Sequence, residues 1–311
     1  MTEAQTVHIP IIGWLLEGDP SIRWQTLRDL VGAPDDVVAR ERARVEREGW
    51  GAQLLELQDA SGTWGGTVWK PEDRDATDTV VLLLAHLGAD GERTRAALDR
   101  TAAGVDWGEE WGDSPFFEGE VEACINGRVL TAAAPYGHAS EVILGKLLEL
   151  QQADGGWNCY AESRSDPGSF HSTICVLEAL AAYRDAGGAT DVAEPLRRGQ
   201  EYLLERGLMR RKSTGELIDA SWLEFAFPYY WHYDVLRGLD HLRTAGVPYD
   251  DRAAEAVESV RAKRRPDGSW AVDRLLNGRP AVPFESVGEP SRWNTLRALR
   301  VLEWAGVQSS A

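Results

Sequence analysis

The heptapeptide Gln58-Asp-Ala-Ser-Gly-Thr-Trp64 has two further versions, Gln151-Gln-Ala-Asp-Gly-Gly-Trp157 and Arg264-Arg-Pro-Asp-Gly-Ser-Trp270. Each version begins with a long polar side chain, carries glycine at its fifth position and ends in tryptophan. At least the first two follow segments whose apolar residues return every three to four positions, as in an α-helix. Glycine after such a segment is typical of a helix end followed by a tight turn. The repeat therefore predicts helical units joined by similar loops.

Six apolar segments can be aligned along the chain, and in this alignment Thr79 corresponds to Thr173 and Thr295. The segments begin near Trp24, Thr77, Ile125, His171, His232 and Trp293. More charged, amphipathic segments lie between them, over residues 39–57, 92–103, 139–151, 192–205 and 252–263. Apolar helices that alternate with amphipathic ones indicate an inner and an outer layer.

This pattern predicts an all-α protein, an (α/α)6 toroid of six inner and about six outer helices. An open solenoid of helix pairs is the alternative. We expect one domain over residues 14–305, with short tails over residues 1–13 and 306–311.

The composition limits the classes of partner. The 311 residues include 33 basic and 50 acidic ones, a net charge of −17. Such a charge argues against nucleic acid and against an anionic membrane surface. We find no apolar run long enough for a membrane span, no signal peptide and no glycine-rich phosphate loop for a nucleotide cofactor. We therefore expect a cytoplasmic protein whose three cysteines are reduced.

The three tryptophan loops resemble the QW repeats of squalene-hopene cyclases and related terpenoid cyclases. The alternating helices also resemble the β subunits of protein prenyltransferases. Both families are built on the (α/α)6 toroid, so the resemblance implies that fold over nearly the whole chain. It also implies a hydrophobic, isoprenoid small molecule as the ligand, held in the mouth of the ring.

The stretch Asp75-Ala-Thr-Asp78-Thr79 resembles the Asp-x-Asp-Asp-Thr motif of bacterial class II cyclases. The middle aspartate of that motif protonates an alkene or an epoxide, and here Thr77 stands in its place. Oxidosqualene cyclases carry a threonine in the third position after a lone catalytic aspartate. The resemblance therefore implies Asp75 as the acid and Asp78 as its neighbour. The alternative is that this stretch only caps an inner helix.

In a ring of alternating helices the inner helices run the same way, so their first residues share one rim. This places Cys124, Cys159 and His171 close together, and two thiolates with one imidazole are a known ligand set for catalytic zinc. The residue kinds resemble the Cys-Cys-His site of lanthionine cyclases, although the spacing differs. Alternatively, they are buried thiols and a capping histidine. On the next inner helix, His232, Tyr233 and Asp234 are predicted to handle protons, or one of them to be a fourth ligand.

Aromatic residues are densest over residues 222–234, which predicts either a wall for an apolar or cationic ligand or simple core packing. His86 and His241 are expected to have structural roles. The residues predicted to bind substrate are Trp157, Phe170, Phe227, Tyr230, Trp231, Arg292 and Trp293.

Three functions agree with these features. The first is a terpenoid-cyclase-like or prenyltransferase-like enzyme acting on a hydrophobic small molecule, with or without the help of a zinc ion held by the cysteines and the histidine at the inner-helix starts. The second is a zinc-thiolate enzyme of other chemistry. The third is a non-catalytic protein that binds a hydrophobic ligand or serves as a scaffold.

Overall fold

The computed structural model describes residues 11–69, 73–276 and 278–307. Its helices are α1 (Pro20–Thr26), α2 (Asp35–Arg42), α3 (Gly49–Glu56), α4 (Thr77–Leu87), α5 (Glu92–Gly104), α6 (Ala123–Ala133), α7 (Glu141–Glu149), α8 (Phe170–Asp185), α9 (Ala193–Leu204), α10 (Val235–Thr244), α11 (Ala254–Ala262) and α12 (Arg292–Trp304). Short 3₁₀ or π turns lie at Leu27–Val31, Glu109–Trp111, Phe116–Glu118, Ala134–Tyr136, Ala220–Leu223 and Asp251–Ala253.

The strands of the described residues are two residues long. β1 (Asp73–Arg74) pairs in parallel with β3 (Arg279–Pro280), and β2 (Trp270–Ala271) pairs antiparallel with β4 (Pro290–Ser291). The chain is thus predominantly helical, as predicted. Within the described ranges, no helix is both long and apolar enough to cross a bilayer.

The predicted apolar segments correspond to α1, α4, α6, α8, α10 and α12, which we call the core helices. Neighbours from α4 to α12 are in contact, and α12 also contacts α1. The first link is made by Trp24, whose Nε1 donates a hydrogen bond of 2.9 Å to the carbonyl of Leu87 at the end of α4. In the last link, Nη2 of Arg300 donates to Oε1 of Gln25 over 2.9 Å. Apart from the first link, successive core helices thus contact one another, and the last core helix contacts the first.

The remaining helices match the predicted amphipathic segments, with one correction. The segment predicted over residues 39–57 is two helices, α2 and α3, separated by a turn. In that turn Val45 and Glu46 are buried, and the Glu46 carboxylate accepts the backbone N–H of Thr94 at the start of α5 over 3.3 Å. Because both side chains are buried here, the chain bends between the two helices.

Residues 11–16 are also helical and lie against the start of α12. Nε of Arg292 donates to the carbonyl of Trp14 over 3.0 Å, and its guanidinium lies over the Trp14 ring. Residues 1–10 and 308–311 of the predicted tails lie outside the described residues.

The core helices are held close by small residues and by helix ends. α4 is buried on nearly all sides, as its run of valines and leucines predicts, and it ends at Gly88, whose φ of 81° favours glycine. A Cβ atom on Gly127 of α6 would lie 2.7 Å from the carbonyl oxygen of Cys175, so glycine permits the close approach of α6 and α8.

The three tryptophan loops share one hydrogen-bond pattern. Each tryptophan ring donates from Nε1, over 2.7 Å, to a carbonyl ten residues earlier in the preceding helix. Each tryptophan backbone N–H donates, over 2.9–3.0 Å, to the hydroxyl of a threonine in the following core helix. The threonines are Thr77, Thr173 and Thr295, so Thr77, and not Thr79, is the equivalent of the other two. The expected alignment was therefore wrong by two residues in α4.

Replacing Thr173 with valine should lower the free energy of unfolding by about 1–3 kcal/mol, because the buried N–H of Trp157 would lose its acceptor. Urea denaturation would measure this. The exposed Thr214→Val variant is a control and should stay within about 0.5 kcal/mol of the wild type. Equal stability of the two variants would contradict a structural role for this bond.

Candidate functional site

The structure brings together two of the predicted zinc ligands. The backbone N–H of Cys124, at the start of α6, donates to Sγ of Cys159 over 3.2 Å, and the hydroxyl of Ser172 donates to the same sulfur over 3.2 Å. Glu122 joins them, and the ligand atoms of these three residues all lie within 4.8 Å of one another. A hydrogen bond between the thiols raises the pKa of Cys124 and lowers that of Cys159. The sequence had not singled out Glu122.

His171, the third predicted ligand, lies outside that group in the described part of the chain. Its Nδ1 accepts the backbone N–H of Tyr233 over 2.8 Å, and its ring faces Trp231 and His232. Trp231 stacks on His232 with 3.8 Å between ring centroids. Burial lowers the pKa of His171 to about 4, and burial together with the charge of nearby groups lowers that of His232 to about 3.

Tyr233 and Asp234 make contacts that stabilise the fold. The Tyr233 hydroxyl is buried and donates to the carbonyl of Leu208 over 2.7 Å. The Asp234 carboxylate caps α10 and accepts the backbone N–H of Arg237 over 2.7 Å. Both polar groups are therefore occupied, and their predicted role in proton transfer has no support in this geometry.

The two aspartates of the cyclase-like motif have different surroundings. Asp75 is exposed, whereas Asp78 is 1% exposed and forms an ion pair of 2.5 Å with Nη2 of Arg128 in α6. Burial raises the pKa of Asp78, although the Arg128 charge opposes this shift. The pair connects two core helices. The N-cap position of α4 is held by Ala76 and has no side-chain hydrogen bond, so Asp78 does not cap this helix. The structure does not join Asp75 and Asp78 into one acidic site.

The aromatic residues predicted to bind substrate do not form one wall but lie in several parts of the structure. Trp157 and Phe170 are buried in the core, where Trp157 makes the loop hydrogen bonds. Phe227 and Tyr230 line a small pocket of about 170 Å³. Phe227 also stacks on Trp293, with 4.3 Å between centroids. Of the residues predicted to bind substrate, Trp293 lines the cavity at the centre of the core helices.

This central cavity has a volume of about 260 Å³ and receives side chains from all six core helices and the turn after α1. Most come from the later turns of these helices, away from the rim that the sequence singled out. The polar and aromatic lining residues are Gln25, Arg28, His86, Thr131, Glu178, Asp185, Tyr229, Arg237, Asp240, His241, Arg243, Thr244, Trp293, Arg297 and Arg300.

Two of the cavity arginines are strongly paired. Arg237 binds both carboxylate oxygens of Glu178, at 2.8 and 2.6 Å. Arg300 forms an ion pair with Asp29 and a hydrogen bond with Gln25. These contacts neutralise both charges within the protein.

Arg297 is less well neutralised, although it is only 3% exposed. Its nearest carboxylate oxygens belong to Asp240, at 3.6 Å, and Asp234, at 3.8 Å. Its Nη1 donates to the side-chain oxygen of Asn294 over 3.4 Å, and its Nε has no hydrogen-bond partner among the described residues. The guanidinium groups of Arg297 and Arg237 both lie over the ring of Tyr229, 4.7 and 4.6 Å from its centroid. Buried charges are normally paired at hydrogen-bonding distance, so Arg297 is a candidate ligand-binding group.

Two histidines of the cavity are neutral at pH 7. Burial lowers the pKa of His86 and of His241 to about 4, and the Arg237 charge adds to this effect while Glu178 opposes it. The Nε2 atom of His241 is buried without a hydrogen-bond partner among the described residues. Neutral imidazoles can donate and accept hydrogen bonds, so both side chains are candidates for contacting a ligand in the cavity.

These lowered pKa values predict a loss of stability at acid pH. An unfolded histidine has a pKa of about 6.5, so from about pH 6.5 down to pH 4 the unfolded chain binds protons that the native protein does not. Each such histidine should steepen the pH dependence of the free energy of unfolding by at most about 1.4 kcal/mol per pH unit. Urea denaturation at pH 7, 5.5 and 4 should show that the free energy of unfolding falls as the pH falls. The fall should be smaller in the double variant His86→Gln, His241→Gln. An unchanged slope would contradict the prediction.

The sequence itself contains a signal for this cavity. His86, Glu178, Arg297 and Arg300 interrupt apolar core-helix segments. A charged or polar side chain on a helix buried on all sides must face a partner or a cavity. Most of the site residues predicted from the sequence lie at helix starts instead. His86 and His241, which were expected to have structural roles, line the cavity.

No protein-family model matches this chain, and no curated protein sequence matches it. Among solved structures it is similar to a protein from Actinoplanes, with 18% identity, a TM-score of 0.46, and 98% of this chain and 100% of that chain covered. It is also similar to a variant of the type II terpene cyclase MstE from Scytonema in complex with geranylgeranyl dihydroxybenzoate, with 13% identity, a TM-score of 0.46 and 97% of each chain covered. A second MstE variant has 14% identity and a TM-score of 0.42, with 98% of this chain and 97% of that chain covered. Similarities this distant assign neither a family nor an activity.

Proposed function

We propose that this protein binds a small anionic molecule in the central cavity, against the guanidinium group of Arg297. The observation that carries the proposal is that this buried charge lines the cavity and has no carboxylate of the described residues at hydrogen-bonding distance. Guanidinium groups bind carboxylate and phosphate oxygens in planar, paired geometry.

The cavity also limits the size and shape of the ligand. Its volume of about 260 Å³ is small for a binding site, since pockets for drug-sized ligands have volumes of about 300–1,000 Å³. The rings of Tyr229 and Trp293 line the cavity beside Arg297, and Nε1 of Trp293 is buried with no acceptor in the part of the chain that the structure describes. A small anion with several acceptor oxygens, and with a planar or unsaturated body, fits these groups.

Calorimetry with a panel of small molecules tests the proposal. Phosphate, diphosphate and benzoate are the anionic probes, and choline is the cationic control. Diphosphate, which offers the most acceptor oxygens of these probes, should bind with one site per chain. At 100 times its dissociation constant it should stabilise the fold by about 2.7 kcal/mol. Binding of choline alone, or of no anion at millimolar concentration, would contradict the proposal.

The enzyme predicted from the resemblance to terpenoid cyclases and prenyltransferases is the second candidate. This enzyme would act on an isoprenoid within a closed (α/α)6 ring. The contacts between successive core helices, and between α12 and α1, support such a ring. The observation that favours it is the pair of aromatic residues, Tyr229 and Trp293, in the same cavity as the arginines. An isoprenoid diphosphate combines an anionic group with an unsaturated body.

Incubation with dimethylallyl, geranyl and farnesyl diphosphates, followed by product analysis, tests this candidate. Turnover that is lost in Arg297→Gln would support it. The isoprenoid enzyme would be contradicted if inorganic diphosphate bound as tightly as geranyl diphosphate and no isoprenoid were turned over. The anion-binding function would still hold in that case.

A further inference from the structure

A second site lies outside the central cavity, where the chain before α6 meets the loop before α8. Glu122, Cys124 and Cys159 there place one carboxylate oxygen and two sulfurs within 4.8 Å of one another, and all three side chains are half-buried. The proposed anion-binding function does not use these groups.

The separations suit a metal ion. Zinc binds cysteine sulfur at about 2.3 Å and carboxylate oxygen at about 2.0–2.2 Å, so two ligands of one tetrahedral ion lie roughly 3.5–3.8 Å apart. Side chains that already lie within 4.8 Å can reach this geometry by small rotations. Two thiolates and one carboxylate favour zinc over magnesium or calcium, because the harder ions prefer oxygen ligands only.

Hydrogen bonds around the sulfurs hold one of the ligands in place. Sγ of Cys159 accepts both the backbone N–H of Cys124 and the hydroxyl of Ser172, each over 3.2 Å. The hydroxyl of Ser172 in turn accepts the backbone N–H of Cys159 over 3.3 Å. Donors of this kind orient thiolate ligands and stabilise their charge in metal sites.

We propose that Glu122, Cys124 and Cys159 bind one zinc ion and leave its fourth position to water or to a small ligand. His171, which the sequence had placed in such a site, does not belong to it. The third protein ligand is Glu122 instead.

Titration of the fully reduced protein with Co²⁺, followed by displacement with Zn²⁺, tests the proposal. We expect one ion per chain and a thiolate-to-cobalt charge-transfer band in the near ultraviolet. Cys159→Ser and Cys124→Ser should each weaken binding by about 100-fold or more, and Glu122→Gln by about tenfold. Cys175→Ala and the exposed Glu118→Gln are the matched controls and should bind as the wild type does.

The proposal is overturned if the wild type shows no charge-transfer band, or if Cys159→Ser retains wild-type affinity. Should the cysteine variants fail to fold, alkylation of the wild type provides the decisive readout. Zinc should then slow the modification of Cys124 and Cys159 at least tenfold, as mapped by mass spectrometry. Equal rates with and without zinc would overturn the proposal.

Discussion

Replacing Arg297 with glutamine should weaken diphosphate binding by about 30-fold or more. Truncating one partner of a buried, charged hydrogen-bonded pair costs about 2–5 kcal/mol, and every 1.4 kcal/mol is a factor of ten in affinity. Glutamine keeps a donor and much of the side-chain volume, so the change removes mainly the charge. Isothermal titration calorimetry of the wild type and the variant would measure the difference.

Arg197→Gln is the matched control, because Arg197 lies on the surface of α9 and pairs only with Glu194 and with solvent. This variant should bind diphosphate within about twofold of the wild type, since surface ion pairs contribute little. If both variants lost affinity equally, binding would depend on the overall charge of the protein rather than on the cavity.

Asp78→Asn should lower the free energy of unfolding by about 3–5 kcal/mol. The substitution leaves the charge of Arg128 buried without its partner, and breaking a buried pair in this way is among the most destabilising single changes. Urea denaturation at pH 7 would measure the loss.

Asp75→Asn is the control for Asp78→Asn, because Asp75 is exposed and belongs to the same motif. It should change stability by no more than about 0.5 kcal/mol. A stable Asp78→Asn variant that lost a catalytic activity would instead favour the acid–base role implied by the resemblance to cyclases.

Much of the fold could be predicted from the sequence, because the helical pattern is local and repeated. The glycine and tryptophan of each loop mark a helix end and a buried ring, so α3, α7 and α11 with their loops were predictable. The register at Thr77 was not, because two threonines two residues apart suit the same alignment and only the contact with Trp64 distinguishes them. The segment over residues 39–57 is divided into two helices because Glu46 is buried and its carboxylate accepts the backbone N–H of Thr94, a contact that the sequence pattern does not reveal.

The candidate site was predicted less well, for a physical reason. The approach of Cys124 to Cys159 follows from the shared direction of neighbouring core helices, which the sequence pattern implies. The central cavity depends instead on which side chains in the later turns face inward, and a repeat does not specify this. The ion pairs of Arg237 and Arg300, which leave Arg297 as the under-neutralised arginine, involve partners 59 and more residues away in the chain.

The structure of the protein crystallised with diphosphate is the most direct test of the central claim. We predict diphosphate in the cavity between the core helices, with its oxygens at hydrogen-bonding distance from the guanidinium group of Arg297. A saturated complex that holds diphosphate only on the outer surface, with Arg297 bonded to Asp240 instead, would contradict the account.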